Sequence, residues 1–202
     1  MKTKSMLVSA AVCIGMIAAC GGTASKSQTG ARADSRSEAG KTSGILEITV
    51  DYKRQDGRGS NQYAVWVEDA VGNLVKTLYV TQFTADGGYK KRPDCTPLWV
   101  TKAQAPSLSK EQIDAFSGAT PQTGLQVYTW DGTDQQGQEV APGSYTFVVE
   151  ATYLGSHIVV FKGEFDRDHA EITLTPEAEF NSDEPQNRDM IQGVTARYIP
   201  AS

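Results

Sequence analysis

The chain has 202 residues, 39% of them hydrophobic and 21% charged, with 19 basic against 24 acidic side chains and a formal charge of −5. An acidic balance disfavours nucleic acid and electrostatic adhesion to anionic lipid, both of which select basic faces. Three cysteines leave no room for a disulfide scaffold, and the ordinary composition suits one globular domain with a hydrophobic core.

The first residues form a secretory signal. Lys2 and Lys4 make a short positive region, and Met6 to Ala19 is apolar apart from Ser9. That stretch is shorter than the ~20 apolar residues a membrane-spanning helix needs. Its end, Ile17-Ala18-Ala19-Cys20-Gly21, resembles the bacterial lipobox. The resemblance implies cleavage before Cys20 and lipidation of the Cys20 thiol, hence a membrane partner through a lipid anchor. Gly21 follows without an acidic cluster, which points to the outer membrane, facing the periplasm. Loss of Lys2 and Lys4 leaves 17 basic and 24 acidic side chains, a formal −7. Cys13 leaves with the signal, so Cys95 is the one cysteine expected in the mature domain. Gly21 to Gly44 has almost no large apolar residue and reads as a flexible tether. Its Gly40-Lys41-Thr42 ends like a phosphate loop but lacks the first glycine and a preceding strand.

From Ile45 the texture turns to alternating, β-branched runs. Strands are expected at Ile45–Tyr52, Tyr63–Asp69 and Leu74–Phe83, the last two joined at Val71-Gly72-Asn73. Arg54 to Asn61 reads as a polar loop, and Leu98-Trp99-Val100 as a short strand. One short helix follows: Ser109 and Gln112 have capping-box spacing, and Ile113 and Phe116 share a face. Gly118 stands where that helix should stop. Further strands are expected at Leu125–Trp130, Ser144–Leu154, His157–Phe165 and Ala170–Leu174. Met190 to Ile199 reads as an edge strand or a loosely held tail. The fold class is mostly β, an Ig-like β-sandwich with one short helix. The expected organisation is a signal over 1–19, lipidated Cys20 and linker over 20–44, a sandwich over 45–180, and a tail or edge strand over 181–202.

The run from Trp130-Asp131-Gly132-Thr133-Asp134 through Gly137, Val140 and Gly143 to Tyr145 resembles the W-D-G signature of the Ig-like domain in flagellar hook-cap assembly proteins. Trp130 is a core anchor by this reading, and Asp131 and Asp134 bond loop amides; calcium binding by these aspartates is the lesser alternative.

Asp114-Ala115-Phe116-Ser117-Gly118-Ala119-Thr120 resembles the D-x-x-[ST]-G-A-[ST] acceptor segment of proteins modified by FAD:protein FMN transferase. The resemblance implies covalent FMN, joined by a phosphoester bond to Thr120, with Asp114, Ser117, Gly118 and Ala119 as the surrounding recognition positions. A threonine hydroxyl is a weak nucleophile, so an outside enzyme must activate it. A helix N-terminus or a backbone nest is the expected holder of the flavin phosphate. The wider arrangement of Val65 to Asp69, Arg92-Pro93, Leu98-Trp99, Ser117 to Thr120 and Trp130 to Gly132 is similar to a domain-of-unknown-function family of predicted periplasmic proteins. That family occurs with flavin transferases and membrane reductases.

Other chemistry has little support. Only His157 and His169 are present, without a Cys/His cluster or a Ser-His-Asp context. Trp66, Trp99 and Trp130 read as core rather than flavin-stacking residues. The leading expectation is a lipid-anchored flavin electron carrier rather than a stand-alone enzyme. The alternative is a non-catalytic Ig-like binding or scaffold lipoprotein of the cell envelope.

Overall fold

Strand β1 (Ile45–Tyr52) alternates as its sequence does, with Leu46, Ile48, Val50 and Tyr52 fully buried. The computed structural model describes residues 44–153, 157–167, 169–181 and 189–201. The expected signal over 1–19, the lipidation at Cys20 and the linker through residue 43 lie outside the described residues. Gly44, expected as the linker's end, is instead buried, and a side chain there would overlap the Tyr198 ring.

A hairpin of β2 (Gln62–Asp69) and β3 (Leu74–Thr81) follows β1. Three short helices come next: α1 (Gln82–Ala85), α2 (Pro97–Lys102) and α3 (Lys110–Phe116). The rest is β4 (Ser117–Gly118), β5 (Gly124–Trp130), β6 (Gly143–Thr152), β7 (Ile158–Arg167), β8 (Ile172–Leu174), β9 (Ala178–Phe180) and β10 (Ile191–Ile199). One sheet has the order β5-β1-β10-β8, the other β4-β3-β2-β6-β7-β9. The protein is a mostly β two-sheet sandwich, as the alternating runs predict.

Two cores lie on the two faces of the larger sheet. Tyr63, Val65 and Val67 of β2 join Phe147, Val149 and the β1 residues between the sheets. Ala64 and Trp66 face the other way and meet Val148, Trp99 and Phe116 under the helical layer. A strand buried on both faces loses its polar alternation, which is why Tyr63 to Val67 reads as one apolar run.

The helical layer departs from expectation. Leu98-Trp99-Val100 is not a strand but part of α2. Pro97 opens this helix, and the Leu98 and Trp99 amides donate to Glu150 at 3.1 and 3.0 Å. Strand β3 ends at Thr81 rather than Phe83. The Thr81 and Thr84 hydroxyls both donate to Gln62 Oε1, at 2.6 and 2.9 Å, which turns the chain into α1. Among the described residues there are therefore three short α-helices rather than one; α3 has the expected capping box, with both bonds made. The C-terminal stretch is neither a tail nor an edge: β10 pairs with β1 along its length and with β8 on its other side. Its buried Val194, Ala196 and Tyr198 are part of the core, so the sandwich runs to Ile199.

Candidate functional site

The W-D-G block assembles as its residues suggest. Trp130 is fully buried, stacks near Tyr145 at 5.1 Å, and donates its indole N–H to the Thr133 carbonyl at 2.8 Å. Asp134 accepts from the Gln136 and Gln138 amides at 2.9 and 2.8 Å, and Gly132 and Gly137 take left-handed turns. Asp131 accepts from the Thr133 amide at 3.2 Å and hydroxyl at 2.6 Å. The Lys76 ammonium pairs with Asp131 Oδ1 at 3.0 Å. This loop also covers the edge of β3, where the Gln135 amide donates to the Val75 carbonyl.

The acceptor-like segment covers the other end of the same edge. Helix α3 ends at Phe116, whose ring packs edge-on against Trp99 at 6.1 Å. Ser117 then turns extended, at φ −92° and ψ 151°, and Ser117-Gly118 pairs parallel with Val80-Thr81. Gly118 is therefore not the left-handed helix stop its position suggested. Its lack of a side chain has another cause: a Cβ there would lie 2.9 Å from Tyr79 Cε2. The Tyr79 hydroxyl donates to the Ala119 carbonyl. From Ala119 the chain crosses from the larger sheet to the start of β5 in the smaller one.

Thr120 sits on this crossover. It is half-buried, and its hydroxyl donates to the Asn61 carbonyl over a long 3.3 Å. Asp114 is exposed on the last turn of α3 and pairs with Lys110 at 2.8 Å. Ala119 is exposed, and Ser117 and Gly118 are half-buried. The structure thus gathers Ser117, Gly118, Ala119 and Thr120 on one extended stretch, with Asp114 one helical turn before it. The N-terminus of α3 lies at the far end of that helix, so the expected helix-N-terminus holder for a phosphate is not supplied by α3. Thr120 follows the C-terminal, electronegative end instead.

Sequence reasoning missed what lies under the segment. Tyr79, Tyr63, Tyr128 and Tyr52, from β3, β2, β5 and β1, form a ring cluster with centroids 5.3 to 6.0 Å apart. Burial pushes the Tyr79 hydroxyl up to about 12 and raises Tyr63, Tyr128 and Tyr52 further. All four are therefore neutral at physiological pH. The Tyr52 hydroxyl is buried without a hydrogen-bond partner among the described residues. No local sequence signal joins four single tyrosines on four strands.

The remaining candidates are structural. Trp66 and Trp99 are buried and bonded, to Glu68 at 2.7 Å and Thr77 at 3.1 Å. Cys95 is buried, and burial raises its thiol to about 11, far from a reactive thiolate. Among the described residues no group of His, Cys, Asp and Glu forms a metal site, and no helix is long and apolar enough to cross a membrane.

The profile of a family described as "Predicted periplasmic protein (DUF2271)" matches residues 29–182. No curated protein and no solved structure matches the chain.

Proposed function

The chain belongs to the DUF2271 family of predicted periplasmic proteins, and on that premise we propose that it is a periplasmic lipoprotein carrying FMN covalently on Thr120 for extracytoplasmic electron transfer. Lipid on Cys20 would anchor it, in the outer membrane by the sequence after the cysteine. Its partners would be an FAD:protein FMN transferase and a membrane reductase.

The observation that carries this reading is the setting of Thr120. Thr120 is half-buried on a crossover outside any strand, and its hydroxyl gives up one long hydrogen bond when esterified. The residues around it fit an attachment point. Tyr79 seats the segment through Ala119 and the bare Gly118, while Asp114 stays exposed for an enzyme to read. Attachment forms the Thr120 Oγ–phosphorus bond and breaks the phosphoanhydride of FAD. AMP leaves, and the hydroxyl proton passes to a base of the transferase. The flavin supplies the redox chemistry; the chain supplies tethering and orientation.

The test is export of the full chain together with an FMN transferase, followed by mass analysis of tryptic peptide 111–162. A gain of FMN minus water, absent from Thr120→Ala, is the expected result. An unmodified peptide beside a modified positive-control substrate would refute the carrier. The second reading, an envelope binding module without cofactor, would then lead; Leu125 and Val127, 69% and 57% exposed on edge strand β5, favour it.

A further inference from the structure

A phosphate ester on Thr120 would add a negative charge to an acidic chain, four residues past the end of α3. A cation beside it would offset that charge, and the last turn of α3 has no basic residue. The loop from Lys53 to Asn61, which accepts the Thr120 hydroxyl, is the richest local source: it holds Lys53, Arg54 and Arg58 against the single acid Asp56.

This loop is closed and tied down. Gln55 and Asn61 bond reciprocally: the Gln55 amide donates to Asn61 Oδ1 and Asn61 Nδ2 donates to the Gln55 carbonyl, each at 2.8 Å. The Tyr153 hydroxyl donates to the Asp56 carbonyl at 2.5 Å and accepts from the Gly59 amide at 3.3 Å. Both ends of the loop then meet the acceptor crossover. At one end the Asn61 carbonyl accepts from Thr120; at the other the Arg54 amide donates to Thr123 Oγ1 at 3.1 Å.

The three cations are not equivalent. Lys53 is engaged by Asp189 at 3.3 Å. Arg58 lies at the loop's exposed tip. Arg54 is anchored through its backbone beside Thr123, and its exposed side chain has no ion-pair partner among the described residues. Its charge reaches the tyrosine cluster, where it opposes the rise at the buried Tyr52. A guanidinium offers paired donors that match two phosphate oxygens.

We propose that Arg54 is the residue that holds the phosphate of the attached nucleotide, positioning it beside Thr120. This assignment rests on Thr120 being the attachment point. Arg54 acts as a positioning residue for the modification and fixes the linkage afterwards.

The test uses the full exported chain with an FMN transferase, unsubstituted and as Arg54→Ala, Arg54→Lys and Arg58→Ala. Arg54 is exposed and its bond to Thr123 uses the backbone amide, so these variants keep the fold. Two readouts are followed: the rate of mass gain on peptide 111–162, and the ³¹P shift and linewidth of the modified protein. The expected result is modification slowed about ten-fold or more in Arg54→Ala, partly rescued in Arg54→Lys and unchanged in Arg58→Ala. The ³¹P line should narrow and move toward that of free phosphodiester in Arg54→Ala alone. Modification of Arg54→Ala at the unsubstituted rate, with the same ³¹P signal, would overturn the Arg54 assignment while leaving the attachment site standing. Failure of the unsubstituted chain to be modified, beside a working control substrate, would overturn both.

Discussion

Tyr79 sits against Gly118: the tyrosine ring crowds the space where a side chain at 118 would begin, a Cβ there lying 2.9 Å from Cε2. The same ring ends in a hydroxyl that donates to the Ala119 carbonyl. A glycine that looks like a helix stop is thus a seat for an aromatic ring from the neighbouring strand.

Gly118→Ala should therefore push the segment off Tyr79 and lower stability by about 1–3 kcal/mol, the usual range for overpacking. Tyr79→Phe should cost about 1 kcal/mol through the lost hydrogen bond. The decisive comparison is a cycle in urea unfolding. Because the two groups touch, Gly118→Ala should cost less when Tyr79 is already alanine. Equal costs in both backgrounds would mean that the ring does not set the glycine.

Glu150 is fully buried on β6, and each of its oxygens accepts one amide from the start of α2. Burial raises its carboxyl to about 7, against the two amides that pull it down. The folded state then holds a proton that the unfolded chain has lost between the ordinary carboxyl range and pH 7. Stability from this group is greatest at low pH and falls as pH rises through 7, by up to about 3 kcal/mol. Urea unfolding from pH 5 to 8 should show that decline in the natural chain and a flatter profile in Glu150→Gln. Parallel profiles would remove Glu150 as the cause. Glu150→Ala, which strands both amides, should cost about 1–3 kcal/mol more directly.

The aspartates of the W-D-G loop bond amides, and Lys76 occupies the Asp131 carboxylate. Calcium and EDTA should therefore leave the Tm unchanged, while Asp134→Ala should lower stability by about 1 kcal/mol through its two lost loop bonds. A rise in Tm with calcium that disappears in Asp134→Ala would restore the metal reading. Lys76→Met, which frees Asp131 of its ion pair, should also leave the Tm insensitive to calcium, because both aspartates are still held by loop amides.

Local pattern made much of this protein legible. Alternation in Ile45 to Tyr52 fixes its buried face, and the Ser109–Gln112 pair closes the capping box of α3 as written. The W-D-G block specifies its own turn, because glycines with positive φ and aspartates bonding nearby amides act within a few residues. Within Asp114 to Thr120 the end of the helix was readable at Ser117-Gly118, but not the pairing of those two residues with β3 or the burial of Phe116.

What the tertiary structure decided depends on partners distant in the chain. Leu98 to Val100 has strand-like residues, yet a carboxylate 51 residues away at Glu150 caps it as a helix. Met190 to Ile199 has no local feature that distinguishes an edge from an inner strand; only β1 and β8 on its two sides do. Four tyrosines become one cluster, and Arg54 a neighbour of the crossover that carries Thr120 and Thr123, because strands and loops far apart in sequence meet in the fold. Short-range propensity and turn chemistry are encoded residue by residue, whereas convergence of side chains is a property of the folded topology alone.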